Sequence, residues 1–249
     1  MPARLGQHFL KDESVRDSIV AAARIAPGSK VLEIGPGRGF LTRSLLEQKV
    51  ELTAVEHDER LAEGLDALPM RLIREDFLKL DLSTLGEGPF TVVSNLPYSV
   101  ASPILQKILR WERWTSAVLM FQKEVADRVT AAPGGPDYGL LTLSVVNRAE
   151  SERVIEAPRT AFSPPPKVAS GVVRLIRRPA PLVADEGRLF RIARPAFEHR
   201  RKMAAGTLSR ALGVARENVA AAFADAGIDA SARPEAITFA QFAALSESL

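Results

Sequence analysis

Between residues 12 and 131 the chain alternates two kinds of apolar pattern. Val15, Ile19, Val20 and Ala23 recur at helical spacing and predict a first helix over 12–26, closed by Pro27-Gly28. Beyond it, short apolar runs predict strands over 30–35, 51–56, 71–74, 90–94 and 117–122, and the stretches between them predict helices over 40–48, 58–68, 102–110 and 123–131. Strand and helix alternating at this rhythm predict an α/β fold with a doubly wound parallel sheet, its ligand loops at the carboxyl ends of the strands. After the turn Pro133-Gly134-Gly135-Pro136, 140–147 and 168–176 read as two further strands, expected as an antiparallel pair closing the sheet. Past Arg178-Pro179-Ala180-Pro181 the pattern becomes alanine-rich and helical, over 186–197, 203–212, 216–226 and 239–248. Two domains are therefore expected, 1–178 around the sheet and a small all-helical one over 179–249.

Composition narrows the chemistry. The 249 residues contain no cysteine, which removes disulfides, thiolate nucleophiles and zinc–thiolate sites and suits a reducing cytoplasm. The first eight residues lack an apolar signal core, and no apolar run approaches the roughly 20 residues of a membrane helix. A soluble, cytoplasmic protein is expected, with nothing that suggests an extensive self-interface, hence a monomer. The net charge of +3 is unevenly spread: residues 148–210 hold 14 Lys/Arg against 6 Asp/Glu, while the remainder holds 19 against 24. A basic segment beside a slightly acidic body suits a catalytic unit with a polyanion-facing side.

The candidate chemistry sits at the strand ends. Val31-Leu32-Glu33-Ile34 runs into Gly35-Pro36-Gly37-Arg38-Gly39, an apolar strand leading into glycines at every second position. Such a loop can approach a ligand closely. Its GxGxG spacing misses the dinucleotide fingerprint by one position, and Glu33 in front of it disfavours a pyrophosphate while suiting the amino-acid end of a cationic ligand. That combination favours S-adenosylmethionine. Glu56 closes the second strand, 21 residues past Gly35, where an acid can accept both ribose hydroxyls. Asp76 follows the third strand, where its carboxylate can accept from an adenine amine with Phe77 lining the ring; alone it reads equally as a solvated loop acid.

The stretch Ser94-Asn95-Leu96-Pro97-Tyr98 ends the fourth strand. Methylating an exocyclic amine needs its lone pair drawn out of conjugation and aimed at the sulfonium methyl. Asn95 Oδ1 and the Leu96 carbonyl can each accept one N–H, Pro97 fixes the turn, and Tyr98 offers a stacking face for an unstacked base. Phe162, ahead of three prolines, fits either a second stacking face or a core position. Arg200-Arg201-Lys202, placed at the opening of a helix, suits phosphate contacts. His8, His57 and His199 are scattered and form no metal site, and no Ser-His-Asp set or Walker loop is present. A nicotinamide oxidoreductase would need the third glycine one residue later and a hydride-handling site.

With Gly6-Gln7-His8-Phe9-Leu10, Glu33 to Gly39, Asn95-Leu96-Pro97-Tyr98, Phe162-Ser163-Pro164-Pro165-Pro166-Lys167-Val168 and Phe197-Glu198-His199-Arg200-Arg201-Lys202 in order, the chain resembles the rRNA adenine N6,N6-dimethyltransferases, in their KsgA-like branch. The resemblance implies a Rossmann-like class I methyltransferase sheet with a small helical C-terminal domain, and four methyl transfers to two adjacent adenosines near the 3′ end of small-subunit rRNA in a 30S-type particle. It places His8 and Leu10 over the cofactor, largely through backbone contacts. It also implies Glu33, Gly35, Gly37, Glu56, Asp76, Phe77 and Asn95 as the cofactor set, Asn95, Leu96, Tyr98 and Phe162 as the catalytic set, and Lys167 with Arg200 to Lys202 as RNA contacts. Ser99-Val100-Ala101-Ser102 and the stretch Met203 to Leu208 depart from the family's usual runs. The alternatives are the sister family that dimethylates one adenosine of large-subunit rRNA, and an RNA-binding assembly factor with little activity.

Overall fold

The structure, a computed structural model, describes residues 8–249. In chain order the elements are β1 (Phe9–Leu10), α1 (Glu13–Ala23), β2 (Lys30–Ile34), α2 (Phe40–Glu47), β3 (Glu51–Glu56), α3 (Glu59–Glu63), β4 (Arg71–Arg74), β5 (Phe90–Asn95), α4 (Ala101–Arg110), β6 (Trp114–Gln122) and α5 (Lys123–Val129). Then follow α6 (Leu140–Arg148), β7 (Ala149–Ala157), β8 (Phe162–Ser163), β9 (Ser170–Arg177), α7 (Glu186–Glu198), α8 (Ala204–Leu212), α9 (Arg216–Asp225) and α10 (Phe239–Ser248). Gly6 and Gln7 of the first motif lie outside the described residues.

The chain divides into two compact units, residues up to 127 with 150–178, and residues 128–149 with 179–249. The first holds a seven-stranded sheet in the order β4-β3-β2-β5-β6-β9-β7. Its first five strands are parallel and β9 runs antiparallel to β6, Ser170 facing Gln122. Val31, Leu32, Val92, Val93 and Ala117 to Phe121 are buried, as parallel strands covered on both faces require. The strand order reverses between β2 and β5, so the loops leaving these two strands diverge there and leave a crevice. Asp12 caps α1, its carboxylate accepting the Ser14 and Val15 N–H groups at 2.9 and 3.2 Å. That helix brings Val15 and Ile19 onto a core shared with Leu10, Leu45, Val93, Val118 and Phe162.

Two sequence expectations are corrected. Residues 140–147 form the helix α6, and the strand partnering β9 at the edge is β7. Thr142, Leu143, Ser144, Val145 and Asn147 are all buried, polar and apolar alike, and their alternation in sequence imitates a strand rather than the one-sided stripe that reveals helical period. Thr142 Oγ1 accepts the Gly139 N–H at 3.1 Å and donates to the Arg128 carbonyl at 2.7 Å, closing the helix start. Residues 128–149, expected in the first domain, belong to the second unit. There Leu143 packs with Leu189, Ile192, Leu208, Val219, Phe223, Phe242 and Leu245 in a helical core. Asn147 ties α6 to the chain before α7, accepting the Val183 N–H at 2.8 Å and donating to Glu186 Oε1 at 3.0 Å.

Candidate active site

The loops after β2, β3, β4 and β5 lie along one edge of the sheet. In the β2 loop Gly35, Gly37 and Gly39 all take positive φ, +67°, +59° and +75°. A Cβ on Gly37 would press into the Phe9 ring at 3.3 Å, and one on Gly39 would collide with Arg43 Nη1 and Leu65 Cδ2 at 2.7 Å. Bare backbone therefore lines the loop.

Glu56, buried at the end of β3, reaches back to that loop: its Oε2 accepts the Gly37 N–H at 3.1 Å and its Oε1 the Asp58 N–H at 2.9 Å. Each oxygen keeps a free lone pair for a ligand hydroxyl. Glu33 is the unusual group. It is 2% exposed, and its Oε2 has no hydrogen-bond partner. Burial pushes its carboxyl up to about 8; the Thr42 hydroxyl close by opposes part of that rise, and the Glu56 carboxylate adds to it. A buried carboxyl with no cation beside it stays protonated until one arrives.

Asp76 is half-buried after β4, its Oδ1 accepting the Leu78 N–H at 2.9 Å. Phe77 is buried, with the Lys107 ammonium 5.2 Å from its ring centre. Asn95 closes β5, half-buried, its amide making no hydrogen bond among the described residues. The Leu96 side chain is buried and its N–H donates to the Met120 carbonyl, so only its own carbonyl is offered outward. Tyr98 stands on a short 3-10 turn, Tyr98–Val100, with its hydroxyl 2.6 Å from Ser170 Oγ. Burial raises the Tyr98 phenol above its usual value, Ser170 opposing, so the ring presents a neutral face.

The chain start joins the site through pairing. β1 runs antiparallel to β8, Leu10 opposite Phe162. The Leu10 side chain is buried in the core. His8 Nδ1 donates to the Pro164 carbonyl at 2.8 Å, and its ring centre lies 5.8 Å from that of Tyr98. Phe162 does not line the site: at 1% exposure its ring is packed among Val15, Ile19 and Val172, because pairing with Leu10 turns it inward. Its ring has no free face in this conformation. The aromatic beside Tyr98 is instead His8.

Two contributors carry no motif signal: Ser170 anchors Tyr98, and Lys107 anchors the β4 loop. Phe9, within the first motif but given no role from the sequence, packs on Gly37 with the Arg38 guanidinium 4.4 Å over its ring. Only the spacing of long-range pairs could have revealed them. Among the predicted RNA contacts, Lys167, Arg201 and Lys202 are exposed, and the Arg200 guanidinium lies 5.8 Å from the Phe197 ring centre. Arg200 to Lys202 occupy the turn between α7 and α8, ahead of the helix rather than at its opening. Among the described residues no group of His, Asp and Glu could hold a metal ion, and no helix is long and apolar enough to cross a membrane.

The family model for ribosomal RNA adenine dimethylase matches residues 2–249. The chain belongs to this family. It is 40% identical over 98% of its length to a ribosomal RNA small subunit methyltransferase A of Desulfitobacterium hafniense, covering 91% of that protein. It is 44% identical to the one of Phenylobacterium zucineum, over 98% of this chain and 86% of the relative. Among solved structures it is similar to the 23S rRNA methyltransferase ErmE, with 31% identity, TM-score 0.75 and 97% of this chain and 99% of that one covered. A dimethyladenosine transferase from Plasmodium falciparum superposes with TM-score 0.79 at 25% identity, over 96% of each chain. The fold is a Rossmann-like class I methyltransferase sheet, and the cofactor of this family member is S-adenosylmethionine. The crevice fits that group: it offers bare glycine backbone and, at Glu33, a buried carboxyl oxygen without a partner, suited to a cationic ligand.

Proposed function

We propose that this protein transfers methyl groups from S-adenosylmethionine to N6 of two adjacent adenosines near the 3′ end of small-subunit rRNA, acting as a cytoplasmic monomer on a 30S-type particle. The observation that carries the reading is the Asn95-Leu96-Pro97-Tyr98 turn, which ends β5 at the sheet's switch point beside the loop of β2. The small-subunit names of the 40–44% identical relatives support that target over large-subunit rRNA.

Bound there, the cofactor supplies an electrophilic methyl on a sulfonium. The residues of this chain do the rest. Glu33 takes the ammonium of the cofactor's amino-acid end, Glu56 the ribose hydroxyls, and Asp76 the adenine amine, with Gly35 and Gly37 beneath and His8 and the Leu10 backbone above. Phe77 contributes through the floor of the adenine loop. Asn95 Oδ1 and the Leu96 carbonyl accept the two N–H bonds of the target amine, which directs its lone pair toward the methyl group. No strong base is needed, because the nitrogen becomes acidic only after transfer. Tyr98 stacks on the extruded base. Phe162 buttresses the β1–β8 pair beside which His8 stands. Lys167, Arg200, Arg201 and Lys202 meet phosphates, which position the RNA without reading its sequence.

The test is mass spectrometry of rRNA digests after incubation with S-adenosylmethionine and under-methylated small subunits. N6,N6-dimethyladenosine in small-subunit rRNA is expected, and label in large-subunit rRNA, or none at all, overturns the reading. Asn95→Ala is expected to abolish transfer while cofactor binding stays within about tenfold, as expected for the loss of one hydrogen bond.

A further inference from the structure

The loop after β4 is held by a group outside every motif. Within the loop, the Asp76 carbonyl accepts the Lys79 and Leu80 N–H groups at 2.8 and 3.0 Å, and Asp76 Oδ1 accepts that of Leu78. The donors of residues 78–80 are thereby spent on Asp76. The carbonyls of Phe77, Leu78 and Leu80 point the other way, onto one atom: Lys107 Nζ of α4, which donates to them at 2.7, 3.0 and 2.5 Å. All three ammonium donors are used, and the same ammonium lies over the Phe77 ring. Partial burial draws the Lys107 pKa down, and the charges of Asp76, Glu75 and Asp81 counter it. Three convergent carbonyl dipoles are stable together only around a cation; without it they repel, and the turn that sets Asp76 Oδ1 on Leu78 opens.

We propose that Lys107 is a positioning residue for cofactor selectivity: by clamping residues 76–80 it holds Asp76 where its free oxygen tells adenine from a purine lacking the exocyclic amine. This rests on the placement of the adenine at Asp76. The helix that carries Lys107 begins three residues after Tyr98, so one element anchors the adenine loop and leads out of the acceptor turn. An apolar stem of the same length cannot replace it, because the stem supplies no donor.

The experiment is calorimetric titration of the whole protein with S-adenosylhomocysteine and with its hypoxanthine counterpart, S-inosylhomocysteine. The wild type is expected to prefer the adenosyl ligand by about tenfold or more, the worth of a hydrogen bond to a charged group. Asp76→Ala is expected to bring the ratio near one, and Lys107→Met to bring it to about threefold or less, at a melting temperature that still shows a folded protein. A merely structural lysine would weaken both ligands equally, so an unchanged ratio in Lys107→Met overturns the proposal. If that variant does not fold, Lys107→Gln, which keeps a donor and most of the stem, is expected to give an intermediate ratio, and an unchanged one there overturns it equally. A wild type that discriminates while Asp76→Ala discriminates just as well overturns the placement of the adenine itself, and is thereby separate from a failure of Lys107 alone.

Discussion

Glu33 shows how far one residue's surroundings decide its chemistry. Its carboxyl ordinarily titrates near 4.5 and in the fold is pushed up to about 8 by burial. Between those values the folded protein holds a proton that the unfolded chain has released, so stability falls as pH rises through that window. Glu33→Gln removes the term. The variant is expected to match the wild type near pH 5 and to melt at a higher temperature than it near pH 8, both without cofactor, in scans at fixed salt. It is also expected to bind S-adenosylmethionine about tenfold or more weakly, since an amide offers no charge to an ammonium. Equal melting temperatures across the range would mean that Glu33 is ionised in the free protein. The acids at 33, 56 and 76 were legible in the sequence because a strand end followed by a turn fixes where such a side chain emerges. The burial of Phe162 was not, because it follows from the pairing of Leu10 with a residue 152 positions away.

Whole elements were legible where local pattern and tertiary place agree. The four inner parallel strands, β3, β2, β5 and β6, read as apolar runs because both of their faces are covered, whereas the edge strand β4 is only half-buried. Residues 149–157 carry Glu150, Glu152, Arg153 and Glu156, and so do not read as a strand, although β9 pairs with them; an edge strand tolerates such charges. Helix α6 failed in the opposite sense: Leu141-Thr142-Leu143-Ser144-Val145 alternates apolar and polar like a strand, while the fold buries its polar members with the apolar ones. Gly28, in the α1–β2 turn, and Gly39, in the β2–α2 connection, test whether such glycines answer to backbone shape or to space. Gly28 and Gly39 have similar positive φ, but only Gly39 has neighbours where a Cβ would stand. Gly28→Ala is expected to cost about 1 kcal/mol for the left-handed conformation alone. Gly39→Ala is expected to cost about 2–4 kcal/mol, because Arg43 and Leu65 must also move. Urea unfolding of the two variants measures the difference, and equal losses would show that the Leu65 contact yields freely.

At the scale of the molecule, two separate cores divide the labour: every proposed cofactor group stands in the first unit, and the basic turn at 200–202 in the second. The two binding events should therefore respond differently to salt. Cofactor binding depends on the buried Glu33, which ions do not screen effectively, so its affinity is expected to change little between 50 and 200 mM salt. rRNA binding releases counterions, and each phosphate neutralised contributes about 0.7–0.9 to the slope of log affinity against log salt. Arg201 and Lys202 are exposed and make no ion pair among the described residues, whereas the Arg200 guanidinium is spread over the Phe197 ring. Arg201→Ala with Lys202→Ala is expected to lower the slope by about 1.4 to 1.8, and Arg200→Ala by less than one such step. Filter binding of small-subunit rRNA across a salt series reads the slopes directly. A double variant with the wild-type slope would show that the turn between α7 and α8 does not touch phosphate, and would move the RNA contacts elsewhere in the basic stretch between residues 148 and 210.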